Sequence, residues 1–200
     1  MRLIEVEQGT EAWLQARLGC PSGSQFGRLV TSTGKPSTQS EAYMNELIAE
    51  RLTGKQTYVK VTEHMERGTL LEPKARSYYE MATDNRVEEV GFCKHDTYEC
   101  GVSPDGLIGL SGGLEIKSPA AHTQVKYLRD GTLPSQYVAQ VQGCLWITGR
   151  EWWDFVAYHE ELPAMIVHVE RDEDFIQKLE AAVFSACETI ETEIQKLKEI

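Results

Sequence analysis

Two carboxylates and a lysine, Asp105, Glu115 and Lys117, fall in a stretch punctuated as a short hairpin: Ser103-Pro104-Asp105-Gly106, then Gly113-Leu114-Glu115-Ile116-Lys117. Side chains of a strand alternate between faces, so Glu115 and Lys117 share one face about 6.6 Å apart while Ile116 points into a core. A hard divalent cation takes oxygen ligands. Asp105, Glu115 and the Ile116 backbone carbonyl supply three, leaving the rest to water and phosphate. Lys117 then meets the nucleophile or the scissile phosphate, which outlines a metal-dependent site for phosphodiester cleavage. On spacing alone such residues more often form a turn and an exposed ion pair, so the surrounding chain has to decide.

Three further groups bear on that decision. Glu72 lies on a helical run, Gly68 to Glu80, whose Leu71, Ala75, Tyr78 and Tyr79 pack inward. It reads either as the i,i+4 partner of Arg76 or, near the hairpin, as support for a second metal. In Tyr137-Val138-Ala139-Gln140-Val141-Gln142 each residue turns about 100°, so one of Gln140 and Gln142 reaches the site and the other does not. Arg17 with Ser22 and Ser24 suggests an anion pocket, a guanidinium fork beside hydroxyls at a helix start.

The elements that must position these residues follow from caps and periodicity. Thr10 caps a helix ending at Gly19-Cys20-Pro21, Ser22-Gly23-Ser24 opens a second, and a loop from Thr31 to Ser40 carries Lys35. Helices are expected over 41–52, closed by Gly54, and over 63–81. The period then shortens, giving strands at 87–93, 99–103, 107–108 and 114–118. Helices at 120–129 and 134–148 come next, then strands at 152–158 and 165–170, where Trp152, Trp153 and Phe155, like Trp146 before them, read as core. An amphipathic helix ends the chain, its apolar stripe running from Phe175 to Leu197. The order predicts one α/β domain over 1–200: a mostly helical part to 85, a sheet with a crossing helix over 86–170, and a closing helix over 171–200.

Composition sets limits. No apolar run reaches the ~18 residues of a membrane span and Met1-Arg2-Leu3-Ile4-Glu5 carries no signal-peptide stretch, so a soluble, cytoplasmic protein is expected. Five scattered cysteines without Cys-x-x-Cys spacing argue against disulfides, zinc ribbons and iron–sulfur clusters, and the five histidines lack ligand spacing. The net charge of −11 speaks against a general nucleic-acid binder. Residues 160–200 hold eleven acidic against four basic side chains, however, which leaves Arg17, Arg28, Lys35, Arg51, Lys55, Lys60, Arg67, Lys74 and Arg76 to build a local basic surface.

Five ordered blocks resemble the phage lambda exonuclease family of viral recombination nucleases, within the PD-(D/E)xK superfamily. They are Gly9 to Trp13 with Arg17-Leu18-Gly19, Arg67-Gly68 through Arg76, Ser103 to Gly106, Leu114 to Pro119, and Tyr137 to Gln142 before Trp146. The resemblance implies a restriction-endonuclease-like core, a mixed sheet flanked by helices. It implies a 5′ to 3′ exonuclease that degrades one strand of duplex DNA to mononucleotides and leaves a 3′ single strand. Asp105, Glu115 and the Ile116 carbonyl would hold two Mg²⁺ ions, with Mn²⁺ as a substitute and Glu72 supporting the second. Lys117 would activate water, Gln142 would help position it, and Arg17, Ser24, Ser103 and Lys35 would surround the 5′-phosphate. It further implies a homotrimer around DNA, a single-strand annealing partner, and a phage or prophage origin in a bacterial host. A structure-selective or restriction-type endonuclease of the same superfamily, or a non-catalytic DNA-end-binding module, shares most of these residues.

Overall fold

The computed structural model describes residues 1–57 and 62–199, so Lys60 lies outside the described residues. Among the described residues eight strands form two sheets. The smaller has the order β1-β3-β4, from β1 (Arg2–Ile4), β3 (Phe92–Lys94) and β4 (Gly101–Val102), all antiparallel. The larger has the order β2-β5-β6-β7-β8, from β2 (Val87–Glu88), β5 (Gly106–Ile108), β6 (Gly112–Lys117), β7 (Trp152–His159) and β8 (Leu162–Glu170). Its one parallel pair, β6 with β7, makes it mixed. A parallel neighbour requires a crossover, and here the crossover carries two helices, α4 (Ala121–Asp130) and α5 (Val138–Thr148).

Helices cover both faces, as a sheet with apolar side chains on both sides requires. On one face, Ala75 and Tyr79 of α3 (Glu63–Thr83) close on Leu114, Ile116 and Val156. On the other, Trp153, Phe155 and Ala157 join Leu145 of α5 and Leu179 and Val183 of α6 (Glu173–Lys198) in the larger core. Trp153 and Phe155 are fully buried, while Trp146 packs beside it against Phe26 and Phe184. The stripe of α6 buries Phe175, Ile176, Leu179, Val183, Ala186, Ile190 and Ile194, and Asp172 caps it by accepting from the Phe175 N–H (3.0 Å). Near the N-terminus, Thr10 caps α1 (Glu11–Arg17), and α2 (Ser40–Thr53) stops at Gly54 in the left-handed conformation.

Three expectations change. The 87–93 run is two strands in different sheets, because Gly91 turns in against the Ile4 and Val6 carbonyls, where a Cβ would stand 2.4 Å from either oxygen. The 134–148 helix divides into a 3-10 turn, Ser135–Tyr137, and α5. The start at Ser22 is a 3-10 helix, Gly23–Arg28. The β5–β6 hairpin forms as expected, Gly106 facing Leu114, and Leu110 at its tip is 98% exposed. All five cysteines are free and buried. No helix among the described residues is long and apolar enough to cross a membrane.

Candidate active site

The hairpin register sets the acidic pair. Because Gly106 faces Leu114, the preceding Asp105 stands opposite Glu115, and its Oδ2 accepts from the Ile116 N–H at 2.6 Å. Glu115 pairs in register with Phe155 of β7, so its carboxylate projects into the apolar row of Trp153 and Phe155 and is only 1% exposed. Loss of water, then the proximity of Asp105, pushes Glu115 up to about 8 despite the pull of Lys117; burial also raises Asp105. Lys117 ion-pairs with Glu115 Oε1. Burial opposes its charge, but Glu115 and Asp105 outweigh that and hold the ammonium above its usual range.

Helix α5 supplies the amide. Gln140 donates to Glu115 Oε1 at 2.6 Å. Gln142, the residue assigned by the resemblance, points away. It donates to the Glu170 carbonyl (2.9 Å) and accepts from the Asp172 N–H (2.9 Å), tying α5 to the start of α6. The helix phase decides between them, since Ala139, Val141, Cys144 and Leu145 face the core and Gln140 is thereby turned to Glu115 on the central strand β6. Two variants separate the roles. Gln140→Ala is expected to lower turnover about 10- to 100-fold with an unchanged melting temperature. Gln142→Ala leaves two backbone groups without partners and is expected to cost about 1–3 kcal/mol of stability while turnover holds; kinetics beside thermal unfolding checks both.

Glu72 is held apart from the pair by Arg76, which binds its Oε1 at 2.6 Å, reaches Glu89 at 2.8 Å and touches the Asp105 carbonyl at 3.4 Å. Burial and nearby Asp105 raise Glu72 to about 7 against the pull of Arg76. It therefore borders the cluster without joining it. Among the described residues no three His, Cys, Asp or Glu side chains converge as a metal cage. The donor set still suits a hard cation. Glu115 Oε2 is a buried oxygen with no hydrogen-bond partner, beside a second carboxylate that burial raises. Asp105, Glu115 and the Ile116 carbonyl would hold such an ion, with water completing the shell.

The expected anion pocket gathers differently from its sequence outline. Arg17 donates to the Ser22 hydroxyl (3.2 Å) and lies over the Trp13 ring (4.1 Å to its centroid), and Trp13 Nε1 donates to the Ser103 hydroxyl (3.0 Å). Burial lowers Arg17 from its usual value, as expected for a guanidinium whose neighbours are a hydroxyl and a ring face. Arg17 and Ser22 line a cavity of about 190 Å³. Ser24 lines a neighbouring one of about 320 Å³ with Gln136 and Gln140, and Arg28 borders both. Lys35 stands exposed on its loop, outside either cavity. Sequence reasoning counted Arg28 only within the basic surface and Trp13 only within a matched block; their place beside these pockets depends on contacts that no local pattern marks. Part of the basic surface is neutralised: Arg28 pairs with Glu46, Arg51 with Glu191 and Lys74 with Glu160.

Comparison with known proteins bears on the family and the fold. Residues 12–151 match the model of the YqaJ-like viral recombinase domain. An alkaline exonuclease, LHK-Exo from Laribacter hongkongensis, is 38% identical, with 95% of this chain and 97% of that one covered at a TM-score of 0.87; its complex with dAMP superposes at 0.86. A phage-related exonuclease from Haemophilus somnus 129PT, 16% identical over 89% of this chain and 96% of that one, shares the fold at 0.62. No curated protein matches the chain. The chain thus belongs to the YqaJ-like viral recombinase family, with the PD-(D/E)xK fold of the lambda-type alkaline exonucleases.

Proposed function

We propose that this metal-dependent, DNA-acting nuclease is a 5′ to 3′ exonuclease of linear duplex DNA that releases mononucleotides and leaves 3′ single strands for annealing recombination. The observation that carries the reading is the adjacency of two unlike sites: the Arg17 pocket and, across Arg28 and the second cavity, the Gln140–Glu115–Lys117 cluster. Arg17, Ser22 and Ser103 receive a terminal 5′-phosphate, with Ser24 on the path between the sites. Lys117 directs its ammonium at the attacking water and the scissile phosphate, while Gln140 fixes the Glu115 carboxylate. Bound Mg²⁺, two ions in this reading and replaceable by Mn²⁺, supplies Lewis-acid activation of water and stabilises the leaving oxygen. Glu72, beside Arg76, orders water at the rim. The active form is a single-domain protomer in a homotrimer, acting in the bacterial cytoplasm with a single-strand annealing protein.

The test is digestion of linear duplexes bearing 5′-phosphate or 5′-hydroxyl ends, beside a covalently closed circle, with Mg²⁺ or EDTA. Mononucleotides from the phosphorylated linear duplex alone, abolished by EDTA, support the reading. Cutting of the circle would replace it by an endonuclease, and binding without any cutting by an end-binding module. Arg17→Ala is expected to reduce the rate ratio between phosphate and hydroxyl ends by about 10- to 100-fold, the loss of one or two charge-assisted bonds. An unchanged ratio removes the pocket.

A further inference from the structure

Lys117 is held on one side by Glu115, and on another by an aromatic ring that no part of the proposed chemistry yet uses. Its Nζ lies 5.5 Å from the centroid of Tyr137. That ring is itself fixed, packing at 5.1 Å on Phe155, which is fully buried and pairs in register with Glu115. Tyr137 occupies the break between the 3-10 turn and α5, three residues before Gln140. Buried Tyr127 on α4 neighbours it, and burial first, then the proximity of Tyr137, raises that phenol. Tyr127 also accepts from Gln136 Nε2 at 3.1 Å. Gln136 and Gln140 line the same cavity. One short segment therefore supplies an amide to Glu115, a ring to Lys117 and an amide to the tyrosine behind that ring.

We infer that Tyr137, braced by Tyr127 and Gln136, is a positioning residue that fixes the Lys117 ammonium for the proposed nuclease reaction. A lysine has four rotatable bonds and a compact charge, so a single ion pair leaves its direction loosely set. The negative face of an aromatic ring attracts the ammonium without taking its protons. Confined between carboxylate and ring, Nζ keeps its remaining donors free for the substrate. The proposal rests on the nuclease reading, and its prediction concerns the chemical step rather than binding of the DNA end.

The experiment compares wild type, Tyr137→Phe and Tyr137→Leu in steady-state digestion of 5′-phosphorylated duplex with Mg²⁺. It adds fluorescence anisotropy of end binding in EDTA and thermal unfolding for each. Tyr137→Phe keeps the ring and is expected to hold kcat within about threefold; Tyr137→Leu fills similar space without a π face and is expected to lower kcat roughly tenfold, equivalent to about 1.4 kcal/mol, at unchanged KM and end affinity. Equal kcat in the leucine and wild-type proteins overturns the inference and leaves the nuclease reading intact. Equal losses in the phenylalanine and leucine variants also overturn it, because the ring would then not be the active element. A wild type that binds ends and cuts nothing overturns both. Should the leucine variant fail to fold, Tyr137→Met is judged on the same terms.

Discussion

Asp105→Asn is expected to stop nucleotide release, by on the order of 10³-fold or about 4 kcal/mol of barrier, while binding to a duplex end survives. The asparagine keeps the shape of the side chain and an oxygen able to accept from the Ile116 N–H, so the hairpin that places Glu115 stays closed. What disappears is one of two carboxylates that face each other with little water between them. Burial raises both groups, and at Glu115 the nearby Asp105 adds to it, which means that the charged form is disfavoured in the folded protein relative to the unfolded chain. Removing that charge leaves the melting temperature unchanged or higher, the usual relation between a charged site and the stability of its scaffold. Gel analysis of labelled duplex and a melting curve on the same preparation test both halves. Retained cleavage in protein freed of host nucleases rejects the ligand assignment, and a lower melting temperature shows that the charge is structural.

Gly113→Ala is expected to cost about 3 kcal/mol and to lower the melting temperature by roughly 6–12 °C. A Cβ on Gly113 would fall 2.2 Å from the six-membered ring of Trp153, which has no free surface into which to retreat. Gly112 meets Trp152 in the same way, so two consecutive glycines let the indoles of β7 lie across β6. The clash sits one turn of the pleat from Glu115, and relief by a shift of β6 would break the facing of Asp105 and Glu115. Activity is therefore expected to fall with stability. Trp153→Phe makes room and removes an indole N–H that lacks an acceptor, so it should recover part of the loss in the double variant, a coupling of about 1–2 kcal/mol. Gly68→Ala is the contrasting control: it has open space in a helix interior and should stabilise by about 0.5–1 kcal/mol. Additive losses in the double variant would show that ring contact is not the cause.

The placement of the candidate site residues was legible in the chain where it depended on local alternation. Glu115 and Lys117 share a face because strands have a period of two, and the turn at Asp105-Gly106 brings the other carboxylate opposite. The cap at Thr10 and the left-handed Gly54 mark helix ends through contacts within a few residues. What escaped was set at long range. β1 is three residues whose partners are about ninety positions away, so nothing in Arg2-Leu3-Ile4 itself announces a strand. The choice of Gln140 over Gln142 depends on the rotation of α5, and that helix is apolar nearly all round, leaving no polar face from which its phase could be read. Arg76 captures Glu72 as i,i+4 spacing allows, yet its further hold on Glu89 comes from the sheet side and has no local sign.

Leu110 stands at the opposite end of the β5–β6 hairpin, roughly 16 Å along the strand from Glu115. Nearly all of its surface meets solvent, whereas every native thiol is enclosed. Leu110→Cys would therefore be the accessible thiol of the molecule, open to a maleimide dye or a surface linker. The enzyme could be tethered by the strand pair that holds the proposed ligands, and the shortening of single DNA molecules followed from a fixed point.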